Sequence, residues 1–321
     1  MNLKDQPFTK KQHYIPQFYL RNFSQDKEHI HVYDKKIGDK GDFRYQTIIK
    51  VAHENNFYTY RTKKGAKENL EDFFCQFEGD AAAIINKVRK EHTIDAIEKE
   101  KLALFVAFIY SRTPAFKART EEMHSKMGEK ISRMMFQVTP KEWLRKFYKE
   151  KEGKNFTDKE IKNLVDFATN SKRSKIKFTY PNEYWIKIML NMGVEVAPIF
   201  YGMDWFIFYT KQSYAFITSD NPFLLIPPEN YDRFWGVGLL THKARKVVPL
   251  TSDMCLVMGD VSDKPVVKFG EANKDFFRQI NKYLILASNR FCFSPEKGKL
   301  EKLVKELKPY NVPRLDKIEV S

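Results

Sequence analysis

The sequence predicts an α+β fold in one domain over 1–321, with an N-terminal β unit, a long helical middle, and C-terminal strands with a helix. Short runs rich in β-branched and aromatic residues occur before residue 62 and after residue 196. Between them, apolar residues recur at intervals of three and four, which is the period of an α-helix. Strands and helices segregated along a chain are typical of the α+β class. The two β segments are also compatible with one shared sheet.

The N-terminal β unit is predicted over 13–62. The run HIHVYDK alternates polar and apolar residues, and YQTIIKVAHENNFYTYR is rich in β-branched and aromatic residues. Between these two runs, KKIGDKGD places two glycines among charged residues, which is typical of a turn. Pro16 keeps the preceding residue out of the helical region, so the unit is expected to begin extended.

The helical block is predicted over 67–192. Its first helix, over 67–92, has one apolar face, and Pro114 should end or kink the second helix. An acceptor side chain followed three residues later by glutamate is the capping-box pattern of a helix start. The pattern occurs three times: at Asp95 with Glu98, Thr139 with Glu142, and Thr157 with Glu160.

The C-terminal β-rich part is predicted over 196–290, because the pattern changes from helix to strand after Gly193. Candidate strands are MDWFIFYT, YAFITS, KVVPL, DMCLVMG and KPVVKF. A helix is expected from Glu271 to Ser288, because its apolar residues recur with helical spacing. The tail over 295–321 is charged, with a weak helical pattern in LEKLVKEL.

The charge balance indicates which partners to consider. The chain of 321 residues contains 56 Lys and Arg against 41 Asp and Glu, a formal net charge of +15. Such a field favours polyanions, so RNA or DNA is a candidate partner. The alternative is a solubility surface, because the basic residues are spread along the chain. No run approaches the roughly 18 apolar residues of a transmembrane helix, so no membrane partner is expected.

The cysteines and the N-terminus predict the cellular compartment. Cys75, Cys255 and Cys292 are odd in number, far apart and flanked by apolar residues, so a buried thiol is expected at each. The N-terminal residues MNLKDQPFTKKQ lack the apolar centre of a signal peptide. A cytoplasmic protein without disulfides is therefore predicted. Oligomeric state cannot be predicted from these features.

Three short stretches contain the candidate functional residues. In HYIPQFYLRNF, aromatic residues can anchor the backbone that holds His13 and Arg21. In YSRTPAF, Arg112 follows a helix that is apolar nearly all round, so it should be paired or face a cleft. In FITSDNPFLL, Asp220 and Asn221 follow a strand, where catalytic carboxylates are common. The alternative for Asp-Asn-Pro is a turn in which the aspartate caps backbone amides.

These stretches resemble the signatures of the domain-of-unknown-function family 4238. That family opens with H-Y-x-P-x-x-[YF]-L-[RK]-x-F and has R-T-P after an apolar helix and T-S-D-N-P at a strand end. Here the signatures are at 13–23, 112–114 and 218–222, and the resemblance covers about residues 12–295. It implies no reaction, because the family has no established activity. It does imply a site hypothesis, in which the five polar residues of these stretches converge on one pocket.

The leading hypothesis is a basic protein that acts on nucleic acid, with phosphodiester cleavage as its reaction and bacterial defence or phage conflict as its setting. His13 would be the acid–base residue, and Arg21 and Arg112 would bind phosphate. Asp220 and Asn221 would orient His13 or hold a divalent metal, which is a candidate cofactor. One structural alternative is an Arg112–Asp220 ion pair with His13 bonded to backbone. Two functional alternatives are a sensor of a nucleotide or phosphorylated small molecule and an interaction protein.

A second candidate pair is Arg119 and His124. The spacing R-x-x-x-x-H on a predicted helix resembles that of the HEPN ribonucleases, although the residue after Arg119 is Thr120, where that family has a polar amide or acid. The alternative is a solvated helix face. The chain contains no Walker loop, no G-x-G-x-x-G, no H-E-x-x-H and no G-x-S-x-G. A P-loop NTPase, a Rossmann dehydrogenase, a zincin and an α/β-hydrolase are therefore not expected.

Overall fold

The computed structural model describes residues 10–37, 41–61, 67–68, 70–170, 178–210, 214–229, 231–232 and 236–307. The described residues form two compact units. The second unit is the segment from Ala118 to Pro181, and the first unit contains the described residues before and after it. The single domain expected over 1–321 stays a prediction.

The α+β class and the order of strands, helices and strands are confirmed. The strands are β1 (Lys11–His13), β2 (His29–Asp34), β3 (Asp42–Thr47), β4 (His53–Asn55), β5 (Tyr60–Arg61), β6 (Lys67–Glu68), β7 (Met203–Tyr209), β8 (Thr218–Ser219), β9 (Leu224–Ile226), β10 (Arg245–Thr251), β11 (Met254–Val261), β12 (Val267–Glu271) and β13 (Phe291–Ser294). The helices are α1 (Gln17–Arg21), α2 (Glu71–Glu91), α3 (Ala96–Ser111), α4 (Pro114–Val138), α5 (Lys141–Glu152), α6 (Asp158–Thr169), α7 (Asn182–Tyr201), α8 (Lys274–Ala287) and α9 (Lys297–Leu307). The turn expected in KKIGDKGD falls partly on 38–40, outside the described residues, as does the end of the charged tail, 308–321.

The described strands form four sheets. One has five strands in the order β12-β7-β11-β10-β9, and all of them come from the C-terminal part. Another has four strands in the order β3-β2-β13-β8, and it joins N-terminal and C-terminal strands. The pairs β1-β4 and β5-β6 are separate. The two β segments therefore share one sheet, while most of the C-terminal strands build a sheet of their own.

The centre of the first unit is α3, which packs against α2 and α7. Its run from Leu102 to Ile109 is almost wholly buried, as its all-round apolar pattern predicts. The expectation that helix gives way to strand after Gly193 is wrong, because α7 continues to Tyr201. Gly193 is required for packing instead: a Cβ there would lie 2.5 Å from Cε1 of Phe108 on α3.

Two of the three predicted capping boxes are confirmed. Asp95 starts α3 and Thr157 starts α6, each with the reciprocal glutamate bond. The box predicted at Thr139 is wrong, because α5 begins after Pro140 with no side-chain cap. The Thr139 hydroxyl donates instead to the carbonyl of Met135, at 2.6 Å. The preceding helix, α4, thus satisfies the hydroxyl that was expected to cap α5.

Two other expectations need correction. Cys255 and Cys292 are buried as predicted, but Cys75 is exposed, because the neighbouring Phe74 occupies the buried face of α2. The N-terminal segment begins extended as predicted, but the short helix α1 follows Pro16 directly. Pro16 has φ −58° and ψ 140°, so it ends the extended entry and precedes the first helical residue.

The second unit is helical. Arg133 of α4 donates to the carbonyl of Ala168 on α6 at 2.6 Å, and Arg145 of α5 pairs with Asp158 of α6. Many large apolar side chains on this unit are exposed: Met123, Met127, Ile131, Met134, Met135, Val138, Trp143, Phe147 and Phe167. Within the described ranges of the chain, no helix is long and apolar enough to cross a bilayer.

Candidate functional site

The first motif is fixed in place at both of its ends. β1 pairs antiparallel with β4, so His13 lies opposite His53, and their ring centroids are 5.4 Å apart. On α1, Tyr19 is fully buried and donates its hydroxyl to the carbonyl of Pro249 at 2.6 Å. Phe23 packs against the ring of Tyr19 at a centroid distance of 5.2 Å. Strand pairing therefore holds His13, and buried aromatic residues anchor α1.

His13 and Arg21 line one cavity of about 310 Å³ between α1 and α2, which we call the α1–α2 cavity. One face of α2 supplies the opposite wall, because residues at intervals of three and four share a helix face. That wall includes Glu71, Phe74 and Glu78. The cavity thus brings an imidazole, an exposed guanidinium and two carboxyl groups together, beside an aromatic ring.

Arg112 lies behind the wall of the α1–α2 cavity. It is fully buried at the C-terminal end of α3, its Nη1 is 2.6 Å from Oε1 of Glu78, and its guanidinium is 4.9 Å from the ring centroid of Phe74. Both of these partners line the cavity. Its Nε and Nη2 are buried and have no hydrogen-bond partner among the described residues. Buried guanidinium N–H groups without a hydrogen-bond acceptor are unusual in protein interiors and call for an explanation.

The environment of His13 favours its neutral form. The pKa of His13 is lowered to about 4, chiefly by burial and also by the positive charges of His53, Arg112 and Arg21, while a backbone hydrogen bond at Ile49 acts to raise it. The Nε2 atom is buried and has no partner among the described residues. Near neutral pH, the His13 imidazole is therefore neutral, and its Nε2 atom forms no hydrogen bond to a described residue.

Glu71 is displaced in the opposite direction. Burial, followed by the negative charge of Glu78, raises the pKa of Glu71 above its ordinary value. Glu71 and His13 line the same cavity. A carboxyl group whose pKa is raised therefore shares a cavity with an imidazole whose pKa is lowered. Pairs of titratable groups with pKa values driven apart are characteristic of acid–base sites.

A second cavity is lined by one residue from each of the three motifs. Tyr14, Pro114 and Asp220 line a space of about 340 Å³, which we call the Asp220 cavity. Tyr14 and Asp220 are buried. The three motifs therefore do meet, but around residues that differ in part from those that the sequence singled out. His53 also lines this cavity, so the His13–His53 contact lies between the two cavities.

The carboxylate of Asp220 accepts hydrogen bonds from three backbone N–H groups. Its Oδ1 accepts the N–H of Asn289 at 2.8 Å, and its Oδ2 accepts those of Arg290 and Phe291 at 2.6 and 2.9 Å. Burial raises the pKa of Asp220 to about 6, although these three donors lower it. Asp220 thus caps backbone amides, as in the predicted alternative, but the amides lead into β13 and do not belong to the expected Asp-Asn-Pro turn.

The five predicted site residues lie at different places in the structure. His13 and Arg21 line the α1–α2 cavity, Arg112 lies behind it, and Asp220 lines the other cavity. Asn221 donates its side-chain Nδ2 to the carbonyl of the last residue of α8 at 3.0 Å. Convergence of all five on one cavity is not observed. The alternative ion pair between Arg112 and Asp220 is also wrong, because a glutamate of α2 pairs with Arg112.

Sequence reasoning missed Glu71, Glu78 and His53. The spacing of Glu71, Phe74 and Glu78 on a predicted helix was a usable signal that one face of α2 has acidic groups beside an aromatic ring. Nothing in the sequence indicated that this face meets α1. His53 could not be found either, because only the pairing of β1 with β4 places it against His13.

The alternative pair, Arg119 and His124, lies in the second unit. Arg119 is exposed, whereas the ring of His124 packs against that of Tyr180 at a centroid distance of 6.0 Å. Tyr180 also donates its hydroxyl to the backbone carbonyl of His124, at 3.1 Å. Five residues apart on a helix, the two side chains point about 140° apart. The second unit therefore gives no geometric support to a joint Arg119–His124 site within one chain.

As far as the chain is described, no three His, Cys, Asp or Glu side chains are grouped so that they could hold a metal ion. The α1–α2 cavity and the Asp220 cavity each have titratable side chains in their lining.

The chain is an α+β protein, and its three signature stretches lie at 13–23, 112–114 and 218–222. A family model described as "Protein of unknown function (DUF4238)" matches residues 11–298. The chain belongs to this family. No curated protein matches the chain significantly, and no solved structure does.

Proposed function

We propose that the protein cleaves phosphodiester bonds of RNA in the α1–α2 cavity, with His13 as the general base and Glu71 as the general acid. One observation supports this choice above the others. The two side chains line the same cavity, and their surroundings drive their pKa values in opposite directions. Such a pair can accept one proton and donate another in the same reaction.

The pair suits RNA because RNA supplies its own nucleophile. His13 Nε2 would take the proton of the ribose 2′-hydroxyl, and the 2′-oxygen would form a bond to phosphorus. The bond between phosphorus and the 5′-oxygen would break, and Glu71 would give its proton to that leaving oxygen. The products would be a 2′,3′-cyclic phosphate and a free 5′-hydroxyl, with one proton accepted and one donated.

Two arginines would stabilise the negative charge of the RNA phosphate and of the transition state. Arg21 is exposed on the cavity wall and can contact a phosphate oxygen. Arg112 would act from behind the wall, where low polarity strengthens its field on the phosphorane-like transition state. Its pairing with Glu78 fixes the guanidinium in position. The net charge of +15 would help to attract the polyanion.

The test compares cleavage of an RNA oligonucleotide with cleavage of the same strand made with 2′-deoxyribose. We expect cleavage of RNA alone, with a cyclic phosphate end detected by mass spectrometry. His13→Gln and Glu71→Gln should each lower kcat by about 10²- to 10⁴-fold. Both variants should melt cooperatively, so that loss of activity is separated from loss of folding.

Two matched variants serve as controls. Glu91→Gln changes an exposed glutamate at the far end of the same helix, and His242→Gln changes an exposed histidine elsewhere. Neither residue lines the α1–α2 cavity, and both variants should keep full activity. Equal cleavage of the deoxyribose strand, or a Glu71→Gln variant as active as Glu91→Gln, would contradict the proposal.

A further inference from the structure

The exposed side of α4 in the second unit is more apolar than a solvated helix surface. Six of its large apolar side chains are between 50% and 79% exposed: Met123, Met127, Ile131, Met134, Met135 and Val138. Because successive helix residues are about 100° apart, all six lie within an arc of roughly 120°, which we call the α4 apolar face. Apolar patches of this kind on a protein surface mark sites of interaction.

Other parts of the α4 surface are already engaged within the second unit. The hydroxyl oxygen of Ser125 accepts the backbone N–H of Phe178 at 3.4 Å, and a Cβ at Gly128 would lie 2.9 Å from the ring of Phe178. Arg133 donates to the carbonyl of Ala168 on α6. These contacts hold α4 in place without the α4 apolar face, which is therefore available to a partner.

Four residues of the α4 apolar face repeat with the spacing of a coiled-coil seam. Met127, Ile131, Met134 and Val138 are separated by four, three and four positions. This alternation of three and four aligns apolar side chains along one side of a helix, where they face a second helix. None of the four is charged, so packing them against apolar side chains buries no unpaired charge. The spacing favours a helical partner over a membrane surface, which requires only a broad apolar side.

A second copy of the chain supplies a helix of that kind. A twofold axis brings the same patch of two chains together, so the apolar faces match in length and in chemistry. Six side chains that each expose on the order of 100 Å² offer roughly 600 Å² per chain, close to the ~800 Å² per partner of a stable interface. Four of the six are methionines, whose flexible side chains adapt to one another across such a contact.

We propose that the protein forms a symmetric homodimer in which the α4 apolar face of one chain packs against the same face of its partner. Met127, Ile131, Met134 and Val138 form the centre of this interface. Each chain has a formal net charge of +15, so the two copies repel each other at long range. Because the seam is uncharged, added salt should screen this repulsion and leave the dimer intact or more stable. The association does not depend on the proposed cleavage.

The experiment is sedimentation equilibrium of the full chain over a range of protein and salt concentrations. We expect a mass of twice the chain mass of 38.1 kDa. The double variant Ile131→Glu/Met134→Glu places two carboxylates of each chain in the interface and should raise the dissociation constant by at least about a hundredfold. Both side chains are at least half exposed, and glutamate favours helix, so circular dichroism should show unchanged helix content.

The matched control is Ile97→Glu/Leu240→Glu, which places the same charges at exposed apolar positions of the first unit. It should dimerise like the unmodified protein. The proposal is overturned if the unmodified protein is a monomer, if its mass keeps rising beyond that of the dimer, or if added salt dissociates it. It is also overturned if both double variants weaken the dimer equally, or if folded Ile131→Glu/Met134→Glu remains a dimer.

Discussion

At the residue scale, burial has opposite effects on the ionisation of His13 and Asp220. In both cases the low-polarity interior favours the neutral form, which lowers the pKa of an imidazole and raises that of a carboxyl group. His13 thereby becomes an available acceptor. Asp220 remains tied to three backbone N–H groups, which leaves it suited to holding the entry of β13 rather than to moving protons.

The pH dependence of RNA cleavage tests these ionisations directly. His13 must be unprotonated to act as a base, so kcat/KM should rise as the pH increases through about 4. Glu71 must be protonated to act as an acid, so kcat/KM should fall again as the pH rises through its raised pKa. The expected profile is a bell with an acidic optimum, measured with initial rates at substrate concentrations below KM.

The Glu71→Gln variant separates the two limbs of that profile. Its residual activity should keep the rise near pH 4 and lose the fall at higher pH, because glutamine does not titrate. An optimum above neutral pH in the unmodified protein would be inconsistent with the assigned roles.

The residues of the α1–α2 cavity show what a sequence can predict about a site. His13 and Arg21 were identifiable because they share one motif with the aromatic residues that hold them. Glu71 was not, since it is one of many glutamates and its meaning depends on the packing of α1 against α2. Arg112 was expected to be paired or to face a cleft. It is paired, but its partner Glu78 comes from α2 and not from the strand end that contains Asp220.

At the element scale, helix starts were predicted where side chain and backbone agree locally. Asp95 and Thr157 cap their helices because each side-chain oxygen accepts the backbone N–H of the glutamate three residues on. Thr139 does not cap α5, because α4 ends one residue earlier, at Val138. The Thr139 hydroxyl therefore donates to a carbonyl of α4. Local patterns thus predict a helix start only where the preceding element leaves the cap residue unoccupied.

The two threonines of the second unit form a matched pair for measuring this effect. Thr157→Ala removes a capping box at α6 and should lower the free energy of unfolding by about 1 kcal/mol. Thr139→Ala removes only a bond to a preceding carbonyl at a half-buried position and should change the free energy of unfolding by less than about 0.5 kcal/mol. Urea unfolding followed by circular dichroism measures both; equal losses would show that Thr139 also stabilises α5.

Strand pairing is the element-level feature that the sequence could not supply. The runs that became β2, β7, β10 and β11 were recognisable from their composition. Their partners were not, because β13 pairs with β2 across most of the chain length and β12 joins β7 in parallel. The two cavities depend on such pairings, so their positions could only follow from the structure.

At the scale of the whole molecule, the excess of basic residues has two readings that salt can separate. A solubility surface has no defined phosphate contacts, whereas a binding groove releases a fixed number of counterions when RNA binds. The observed ion pairs already occupy many cations, among them Arg44, Arg112 and Arg290. Exposed cations at a cavity, such as Arg21, are therefore the ones expected to contact phosphate.

The dependence of RNA affinity on salt gives the last prediction. In the Glu71→Gln background, where cleavage is expected to be slow, the logarithm of the RNA binding constant should fall linearly with the logarithm of the salt concentration. For single strands each phosphate contact contributes a slope of about −0.7, so adding Arg21→Gln should make the slope shallower by about 0.7. Adding Arg245→Gln, an exposed arginine of β10 outside the cavity, should leave it unchanged. Fluorescence anisotropy measures all three proteins. If the two arginine variants change the slope equally, RNA binds through the charge of the whole surface, and the α1–α2 cavity is not a specific binding site for RNA.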